Sequence, residues 1–243
     1  MTSTGERILS ALRDDGFAVI RGLVSPGDLR LLSAAYDEAF ERGTPPDLRR
    51  SSTGSVRLAG LLGRDATFDE LCASPPFLEA CEQTIGEPFK LSSMGGRTVL
   101  PGATMQTLHV DVRRDDDAWP LVGFIIMLDE FRGDNGATRF VPGSHEREKA
   151  WPDRYATNLR PNAARQVVAR GEAGSAIVYH GSTWHGYGGN RSAAPRRSIH
   201  GAYIPRRGKS AIDWAARLRP EAAARLSPRA KSLLGWEQGA HTG

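Results

Sequence analysis

The amino-acid sequence predicts one mainly β domain, an antiparallel sandwich or barrel with helices flanking it. Short β-prone runs separated by turn residues fill the chain beyond Glu87, whereas helical spacing dominates before it. The 243 residues are enough to bury a sizeable core without structural metals or disulfides. With 40% hydrophobic and 25% charged residues, the composition excludes the disordered, fibrous and disulfide-stapled classes. We therefore expect a single domain over residues 1–243, in which any bound metal serves chemistry.

Residues 1–90 are predicted to form a helical N-terminal part that contains one short strand. A compact apolar run at residues 17–20 predicts this strand. Ser25 and Pro26 then supply an N-cap and a proline at the first helical position, and apolar residues at helical spacing follow them.

A second helical pattern occupies residues 68–85 and ends at Gly86, which is a typical C-terminal stop. Pro75 and Pro76 interrupt this pattern. The preceding residues 43–66 are rich in Gly, Pro, Ser and Arg, so that they predict a loop region.

Residues 91–205 are predicted to form the β core. Seven short runs there have β-prone composition and are separated by turn residues, among which residues 134–136 (Asp-Asn-Gly) are a strong turn signal. The predicted strands are residues 97–100, 105–112, 121–128, 138–141, 166–168, 176–179 and 198–204.

Residues 206–243 are predicted to form a helical basic tail. Residues 205–243 hold eight Lys or Arg and three Asp or Glu, whereas the whole chain has a formal net charge of +4. Basic tails occur in nucleic-acid-binding proteins. Four arginines of the tail alternate with Ala and Leu in a helical rhythm, which favours a solvated helix face and no nucleic-acid partner. They are Arg217, Arg219, Arg225 and Arg229.

We expect a cytoplasmic protein with no membrane-spanning segment. The longest apolar run is residues 121–128, whereas a membrane-spanning helix needs about 20 residues. The N-terminus has Glu6 where a secretory signal places positive charge. Cys72 and Cys81 are too few for a disulfide framework and too far apart for a C-x-x-C pair, so we expect buried, inert thiols.

The segment around His109 carries the strongest chemical signal. His109 and Asp111 lie two residues apart in the predicted strand 105–112, so their side chains project from the same face. An imidazole and a carboxylate side by side are two of the three ligands in the 2-His-1-carboxylate triad of non-haem Fe(II) oxygenases. A third ligand must come from elsewhere, because a His-x-Asp pair alone recurs by chance.

Two histidines are candidates for the third ligand. His185 opens a glycine-rich turn after an apolar strand, and His180 lies at the end of that strand. An oxygenase that uses 2-oxoglutarate must hold the distal carboxylate of this cosubstrate, and a guanidinium does so bidentately. Arg196 favours His185, because it follows that histidine by eleven residues at the start of a predicted strand. Its neighbour Arg197 would point to the opposite face.

Together these motifs resemble the phytanoyl-CoA dioxygenase family of Fe(II)/2-oxoglutarate-dependent oxygenases. The resemblance spans nearly the whole chain, and the combination is more specific than any one motif. It rests on residues 15–22, on His109-Val110-Asp111, on residues 134–145 with an Asn-Gly turn and a Pro-Gly-Ser-His sequence, and on His185 with Asn190, Ser192 and Arg196.

The resemblance implies a double-stranded β-helix, the jelly-roll architecture of cupin-like proteins, with a metal at one open end. It implies that His109, Asp111 and His185 bind Fe(II), and that Arg196 anchors 2-oxoglutarate, which reacts together with O2. It also implies that Gln106 faces the cosubstrate, although a simple polar residue on the sheet face is an equal alternative.

Two further residues follow from the same resemblance. For His145, in the Pro-Gly-Ser-His turn, a structural corner is favoured over a metal ligand. Tyr187 stands where relatives often have a small hydroxyl residue two positions after the distal histidine, so one cosubstrate contact differs here.

The implied function is hydroxylation of a small organic molecule, in the biosynthesis of a specialised metabolite. Asp111 favours hydroxylation over halogenation, because halogenating relatives have a small residue there, but desaturation and ring formation stay open. The alternatives are a demethylase acting on nucleic acid or protein, and a cupin-like metal-binding protein with a sensing or storage role. Weak candidates to line the substrate site are Arg57, Arg97, Arg113, Trp119 and Trp184, and the acidic residues 115–117 predict a solvated loop.

Overall fold

A computed structural model of the protein describes residues 4–112, 120–146 and 165–236. The helices of these residues are α1 (Thr4–Asp15), α2 (Pro26–Glu41), α3 (Ala66–Asp69), α4 (Pro75–Ile85), α5 (Trp214–Arg217), α6 (Pro220–Arg225) and α7 (Pro228–Leu233), with a 3-10 turn at Leu71–Ala73. The strands are β1 (Phe17–Ile20), β2 (Leu48–Arg50), β3 (Ser55–Ala59), β4 (Phe89–Val99), β5 (Val122–Met127), β6 (Thr138–Phe140), β7 (Val167–Val168), β8 (Ala176–His180), β9 (His185–Tyr187) and β10 (Arg196–Pro205).

These strands form two antiparallel sheets. The large sheet has the order β1-β8-β5-β10-β4-β3-β2, and the small sheet has the order β7-β6-β9. From β5 onward the chain moves between the sheets, because β6, β7 and β9 belong to the small one while β8 and β10 return to the large one. Alternation of this kind is the connectivity predicted for a double-stranded β-helix.

The large sheet separates two apolar layers. Its outer face packs against the helices, where Phe124, Ile199 and Tyr203 join the main hydrophobic core. Its inner face packs toward the small sheet, where Ile125 of β5 and Phe140 of β6 share a second cluster. Since successive residues of a strand face opposite sides, β5 is buried along its whole length.

The helix boundaries follow the sequence signals. The side chain of Ser25 accepts a hydrogen bond from the backbone nitrogen of Asp28 (3.2 Å), and α2 begins at Pro26. Helix α4 begins at Pro75 and ends at Gly86, whose φ of +67° is a left-handed conformation that glycine adopts without a steric cost.

The predicted loop at residues 43–66 is wrong in part, because it contains β2 and β3. Gly54, at a φ of +89°, allows the tight turn between these strands. They pair with each other and then with β4 at the edge of the large sheet. Their polar, partly exposed side chains give no apolar alternation, so the sequence pattern did not reveal them.

The predicted strand at residues 105–112 is also wrong. This segment forms only an isolated bridge, between His109 and His185, and bends at residues 111–112. Its backbone bonds to several places in succession, since the Gln106 nitrogen donates to Tyr187 O (3.0 Å) and the Asp111 nitrogen donates to Gly181 O (2.8 Å). The segment therefore follows β9 from Tyr187 to His185 and then reaches Gly181, with too few backbone bonds for a continuous strand.

The basic tail does not present a fully solvated face. Arg217 forms an ion pair with Asp47, and Arg225 pairs with the buried Asp69. Only Arg219 and Arg229 of the four predicted arginines are exposed without such a pair among the described residues. The tail helices are thus fastened to the N-terminal part through charge.

Cys72 and Cys81 are free and buried, as predicted. Burial raises the pKa of the Cys72 thiol to about 12, which keeps it protonated and unreactive. Among the helices of the described residues, none has the length and apolar character required to cross a membrane.

Candidate metal centre

The isolated bridge places two histidines side by side. The His109 nitrogen donates to His185 O, and the His185 nitrogen donates to His109 O, both at 2.9 Å. Residues paired in this way project to the same face of the ladder. The two imidazole rings accordingly lie 4.5 Å apart between centroids, and both histidines are buried.

Asp111 completes a three-residue cluster. The Nε2 atoms of His109 and His185 each lie 3.8 Å from a different carboxylate oxygen of Asp111. One ligand atom from each of the three residues can be chosen so that all lie within 4.8 Å of one another. Donors at right angles on one transition-metal ion are about 3 Å apart, because the bonds are roughly 2.0–2.2 Å long. A small inward shift of the side chains therefore suffices to bind an ion.

Each imidazole is oriented by its other nitrogen. His109 Nδ1 lies 3.2 Å from Thr107 O, and His185 Nδ1 lies 2.8 Å from Thr183 O. Since a carbonyl accepts, both Nδ1 atoms carry the proton and the Nε2 lone pairs face the cluster. Burial, followed by the neighbouring His185, lowers the pKa of His109 to about 3, so that this ring is neutral, as a metal ligand must be.

Tyr179, at the end of β8, supports the carboxylate. Its phenol donates a 2.7 Å hydrogen bond to Asp111 Oδ2. Burial disfavours the charged form of Asp111, but the two histidines and this hydrogen bond together hold the pKa of Asp111 below its ordinary value. The ring of Tyr179 fits here because Gly123 on the neighbouring strand has no Cβ to meet it. The sequence analysis did not predict this contact. The only signal for it was that Tyr179 directly precedes His180, which was a candidate third ligand.

The other buried histidines lie outside this cluster. His180 Nδ1 accepts a hydrogen bond from the Ser182 nitrogen (3.3 Å), and its ring packs 5.2 Å from that of His145. His145 Nε2 lies 3.0 Å from Arg13 O, so that this residue ties the Pro-Gly-Ser-His turn to α1, in accord with the predicted structural corner. The structure thus brings His185, and not His180, to the predicted pair.

Arg196 and Arg197 point to opposite faces of the large sheet, as predicted. Arg197 forms an ion pair with Asp129 (2.7 Å) and another with Asp37 (2.7 Å). Arg196 is 1% exposed and donates instead to Ser198 Oγ (2.7 Å) and Gly136 O (2.8 Å). Its buried Nε has no hydrogen-bond partner among the described residues, and its guanidinium carbon lies 4.3 Å from the centroid of the Phe131 ring.

An open cavity of about 880 Å³ reaches this centre at Asp111 and Tyr179. Arg57 and Arg97 of the predicted substrate-site candidates line it, whereas Trp184 is buried in a small apolar cluster. The remaining candidates, Arg113 and Trp119, and the acidic residues 115–117 lie outside the described residues.

Gln106 and Tyr187 lie beside Arg97. Gln106 Oε1 accepts from Arg97 Nη1 (3.4 Å) and from the Tyr187 nitrogen (3.5 Å). The Tyr187 hydroxyl contacts the hydroxyl groups of Thr53 and Ser55, and its side chain is buried. That Gln106 contacts the cosubstrate stays a prediction.

Comparison with known proteins identifies the family. The family model described as phytanoyl-CoA dioxygenase (PhyH) matches residues 12–198. The chain belongs to the phytanoyl-CoA dioxygenase family. Among its relatives, "Dioxygenase cdmD" of Talaromyces verruculosus is 27% identical over 94% of this chain and 83% of its own length. "Dioxygenase aneA" of Aspergillus aculeatus is 30% identical over 76% of this chain and 67% of its own length.

Solved structures of similar fold confirm the double-stranded β-helix. The alpha-ketoglutarate-dependent epimerase SnoN from nogalamycin biosynthesis has a TM-score of 0.70 at 21% identity, over 83% of each chain. The carbocyclase SnoK from the same biosynthesis has a TM-score of 0.67 at 20% identity, over 84% of each chain. SnoN has also been solved with Fe3+ and alpha-ketoglutarate. The predicted cofactor class of this dioxygenase family, iron with 2-oxoglutarate and O2, is thereby confirmed.

Proposed function

We propose that this member of the phytanoyl-CoA dioxygenase family is an Fe(II)- and 2-oxoglutarate-dependent hydroxylase of a small organic molecule, in the biosynthesis of a specialised metabolite. The observation that carries the proposal is the convergence of His109, Asp111 and His185, which come from two distant segments and offer their ligand atoms within 4.8 Å. Two neutral imidazoles and one carboxylate are the donor set of the facial triad.

In this proposal His109, Asp111 and His185 are the residues that would hold the iron. When bound, the iron and 2-oxoglutarate supply the oxidising chemistry that cleaves a C–H bond of the substrate. The carbonyls of Thr107 and Thr183 keep the imidazoles in the ligating tautomer, and the Tyr179 phenol orients the carboxylate.

Arg196 is the residue proposed to hold the distal carboxylate of 2-oxoglutarate. Its guanidinium is positioned by Ser198 and Gly136, and its Nε has no hydrogen-bond partner in the part of the chain that the structure describes. Burial, followed by the charge of Arg97, lowers the pKa of Arg196 to about 9, so the group is cationic at neutral pH but poorly solvated. A carboxylate relieves that cost through charge-assisted hydrogen bonds.

Hydroxylation is the proposed outcome because Asp111 keeps the carboxylate position of the triad filled. Two proteins of the same fold are an epimerase and a carbocyclase, so the fold alone does not fix the reaction. The cavity beside Asp111 is large enough for a small organic substrate and reaches the centre directly.

Product mass and succinate release test this proposal together. The protein is incubated with Fe(II), ascorbate, 2-oxoglutarate and a panel of small organic molecules, and the His109→Ala variant serves as a matched control. Hydroxylation predicts succinate in step with a product that gains one oxygen atom. Loss of two hydrogen atoms would replace hydroxylation by desaturation or cyclisation, and an unchanged mass with inverted stereochemistry would replace it by epimerisation. Iron binding without any succinate across the panel would favour the non-enzymatic metal-binding alternative.

A further inference from the structure

Arg97 is an inward-facing guanidinium to which the proposed function gives no role. It lies on β4 directly opposite Ser198 of β10, so it shares the inner face of the large sheet with Ser198 and, two residues further along, His200. Arg97, His200 and Asp111 all line the cavity that reaches the metal centre. A small molecule bound in this cavity would therefore contact Arg97.

The charge of Arg97 has poor compensation within the described residues. Its Nη1 donates only to the neutral Gln106 Oε1, at a long 3.4 Å, and its buried Nε has no partner. The ring of Tyr187 lies 5.6 Å from the guanidinium carbon, which offers a weak cation–π contact. Arg197 on the outer face of the sheet and Arg217 in the same cavity each have carboxylate partners instead.

A like charge lies directly across from Arg97. Arg57 of β3 is its cross-strand partner, and like charges at such positions are destabilising. Burial inside the cavity, followed by the charge of Arg57, lowers the pKa of Arg97 to about 10. The fold thus places two positive charges side by side, and a bound anion would reduce the repulsion between them.

Charge balance indicates that one anchored distal carboxylate is not enough. The two positive charges of a ferrous ion match the two negative charges of 2-oxoglutarate. The guanidinium groups of Arg57 and Arg196 then both act on Arg97, and the carboxylate that acts on it is that of Asp111. Asp47 and Asp213 also line the cavity, but Asp47 pairs with Arg64 and Arg217, and Asp213 caps α5. His200 adds no charge, because burial holds its pKa well below the ordinary value.

We propose that Arg97 is a second carboxylate-binding residue of this centre, separate from Arg196. Its planar fork suits bidentate contact with a carboxylate in the cavity beside Asp111. Two molecules can supply that group, namely the keto-acid end of 2-oxoglutarate or a carboxylate on the substrate. The inference rests on the proposed function and names a chemical requirement of the same site.

The test compares Arg97→Gln, Arg97→Lys and the control Arg49→Gln, which removes an exposed arginine from the same cavity. Each protein is loaded anaerobically with Fe(II), and 2-oxoglutarate is titrated while the visible charge-transfer band of the iron complex is followed. In a second arm, 2-naphthoate and its neutral isostere 2-naphthamide are titrated into the complex saturated with 2-oxoglutarate.

We expect Arg97→Gln to lower the affinity for one of the two carboxylate ligands about 10- to 100-fold, as loss of a hydrogen bond to a charged group does. If the affinity for 2-oxoglutarate falls in the first arm, the carboxylate that Arg97 binds is that of 2-oxoglutarate. A loss of the preference for naphthoate over naphthamide, with 2-oxoglutarate unaffected, assigns it to the substrate. Arg97→Lys should retain part of the affinity, and Arg49→Gln should retain all of it.

Iron affinity and thermal unfolding separate ligand binding from a structural role. The metal-free Arg97→Gln variant should melt at or above the temperature of the parent, because a poorly compensated buried charge is removed. Unchanged affinities in both arms would overturn the inference while leaving the proposed function intact. So would weakened iron binding together with a lower melting temperature. Absence of the 2-oxoglutarate band in the parent protein would instead refute the proposed function.

Discussion

The two faces of the large sheet use arginine in different ways. On the outer face, Arg197 is held by Asp129 and Asp37, each at 2.7 Å. On the inner face, the adjacent Arg196 donates to a hydroxyl and a carbonyl, Arg97 donates to an amide oxygen, and both also lie near aromatic rings. Both inner guanidinium groups keep a buried Nε without a partner among the described residues.

This difference separates stabilisation from ligand binding within a single strand. A carboxylate partner offsets the desolvation cost of a buried guanidinium but leaves the group with little capacity for a ligand. Neutral partners fix the position of the group and leave its charge available. The inner face of the sheet is therefore predicted to gain affinity for anions at the expense of stability.

The largest expected effect is that of Arg196→Ala on cosubstrate binding. Removal of one partner of a buried, hydrogen-bonded charge pair costs roughly 2–5 kcal/mol. We expect 2-oxoglutarate affinity to fall by that amount while iron affinity is unchanged, as measured by titration of the iron-loaded protein. A variant that binds 2-oxoglutarate as the parent does would remove Arg196 from the site.

Tyr179→Phe is expected to act on the metal rather than on the cosubstrate. The substitution deletes the 2.7 Å hydrogen bond to Asp111 and keeps the ring that packs against His185 and Phe140. Loss of a group that orients a metal ligand lowers metal affinity about 10- to 100-fold. Competition with a chelator of known strength measures this affinity, and an unchanged value would show that Asp111 needs no such support.

Arg197→Gln is expected to lower the stability of the protein without lowering its affinity for 2-oxoglutarate. The pair with Asp129 is partly buried, with side chains 24% and 27% exposed, so we expect a loss of about 1–2 kcal/mol in the free energy of unfolding. Denaturant unfolding measures it. If cosubstrate affinity fell as well, the distinction between the two faces would not hold.

The smallest effect concerns the attachment of the tail helices. Hydrogen bonding to Arg217, together with the charges of Arg217 and Arg64, keeps the pKa of Asp47 below 3.8 in the folded protein. The stabilisation is therefore present above the unfolded pKa and is lost as pH falls through the lower folded pKa. We expect Asp47→Asn to cost about 1 kcal/mol at pH 7, and the difference from the parent should shrink in strong acid. A pH-independent difference would contradict this linkage.

The sequence predicted those features that local chemistry determines. The cap at Ser25 and the stop at Gly86 were predicted correctly because each depends on a few adjacent residues. The hairpin of β2 and β3 was missed, since it is held by pairing with the distant β4. The pairing of Arg217 with Asp47 likewise joins residues far apart in the chain.

The metal centre was predicted for a reason that proved only half correct. Residues 105–112 are not a strand, and the chain bends at residues 111–112, yet His109 and Asp111 reach one centre. The choice of His185 depended on Arg196, and the structure shows the direct cause, a backbone bridge between the two histidines. Tyr179 was missed, because its contact with Asp111 joins residues that are distant in sequence.

Iron binding by two histidine variants tests the central claim most directly. His180 and His185 are both buried, lie five residues apart and were the two candidates for the third ligand. Equilibrium titration of Fe(II) under anaerobic conditions should give one ion per chain for the parent and for His180→Ala, and a loss of more than about 100-fold in affinity for His185→Ala. Tight binding that survives in His185→Ala but is lost in His180→Ala would contradict the proposed centre.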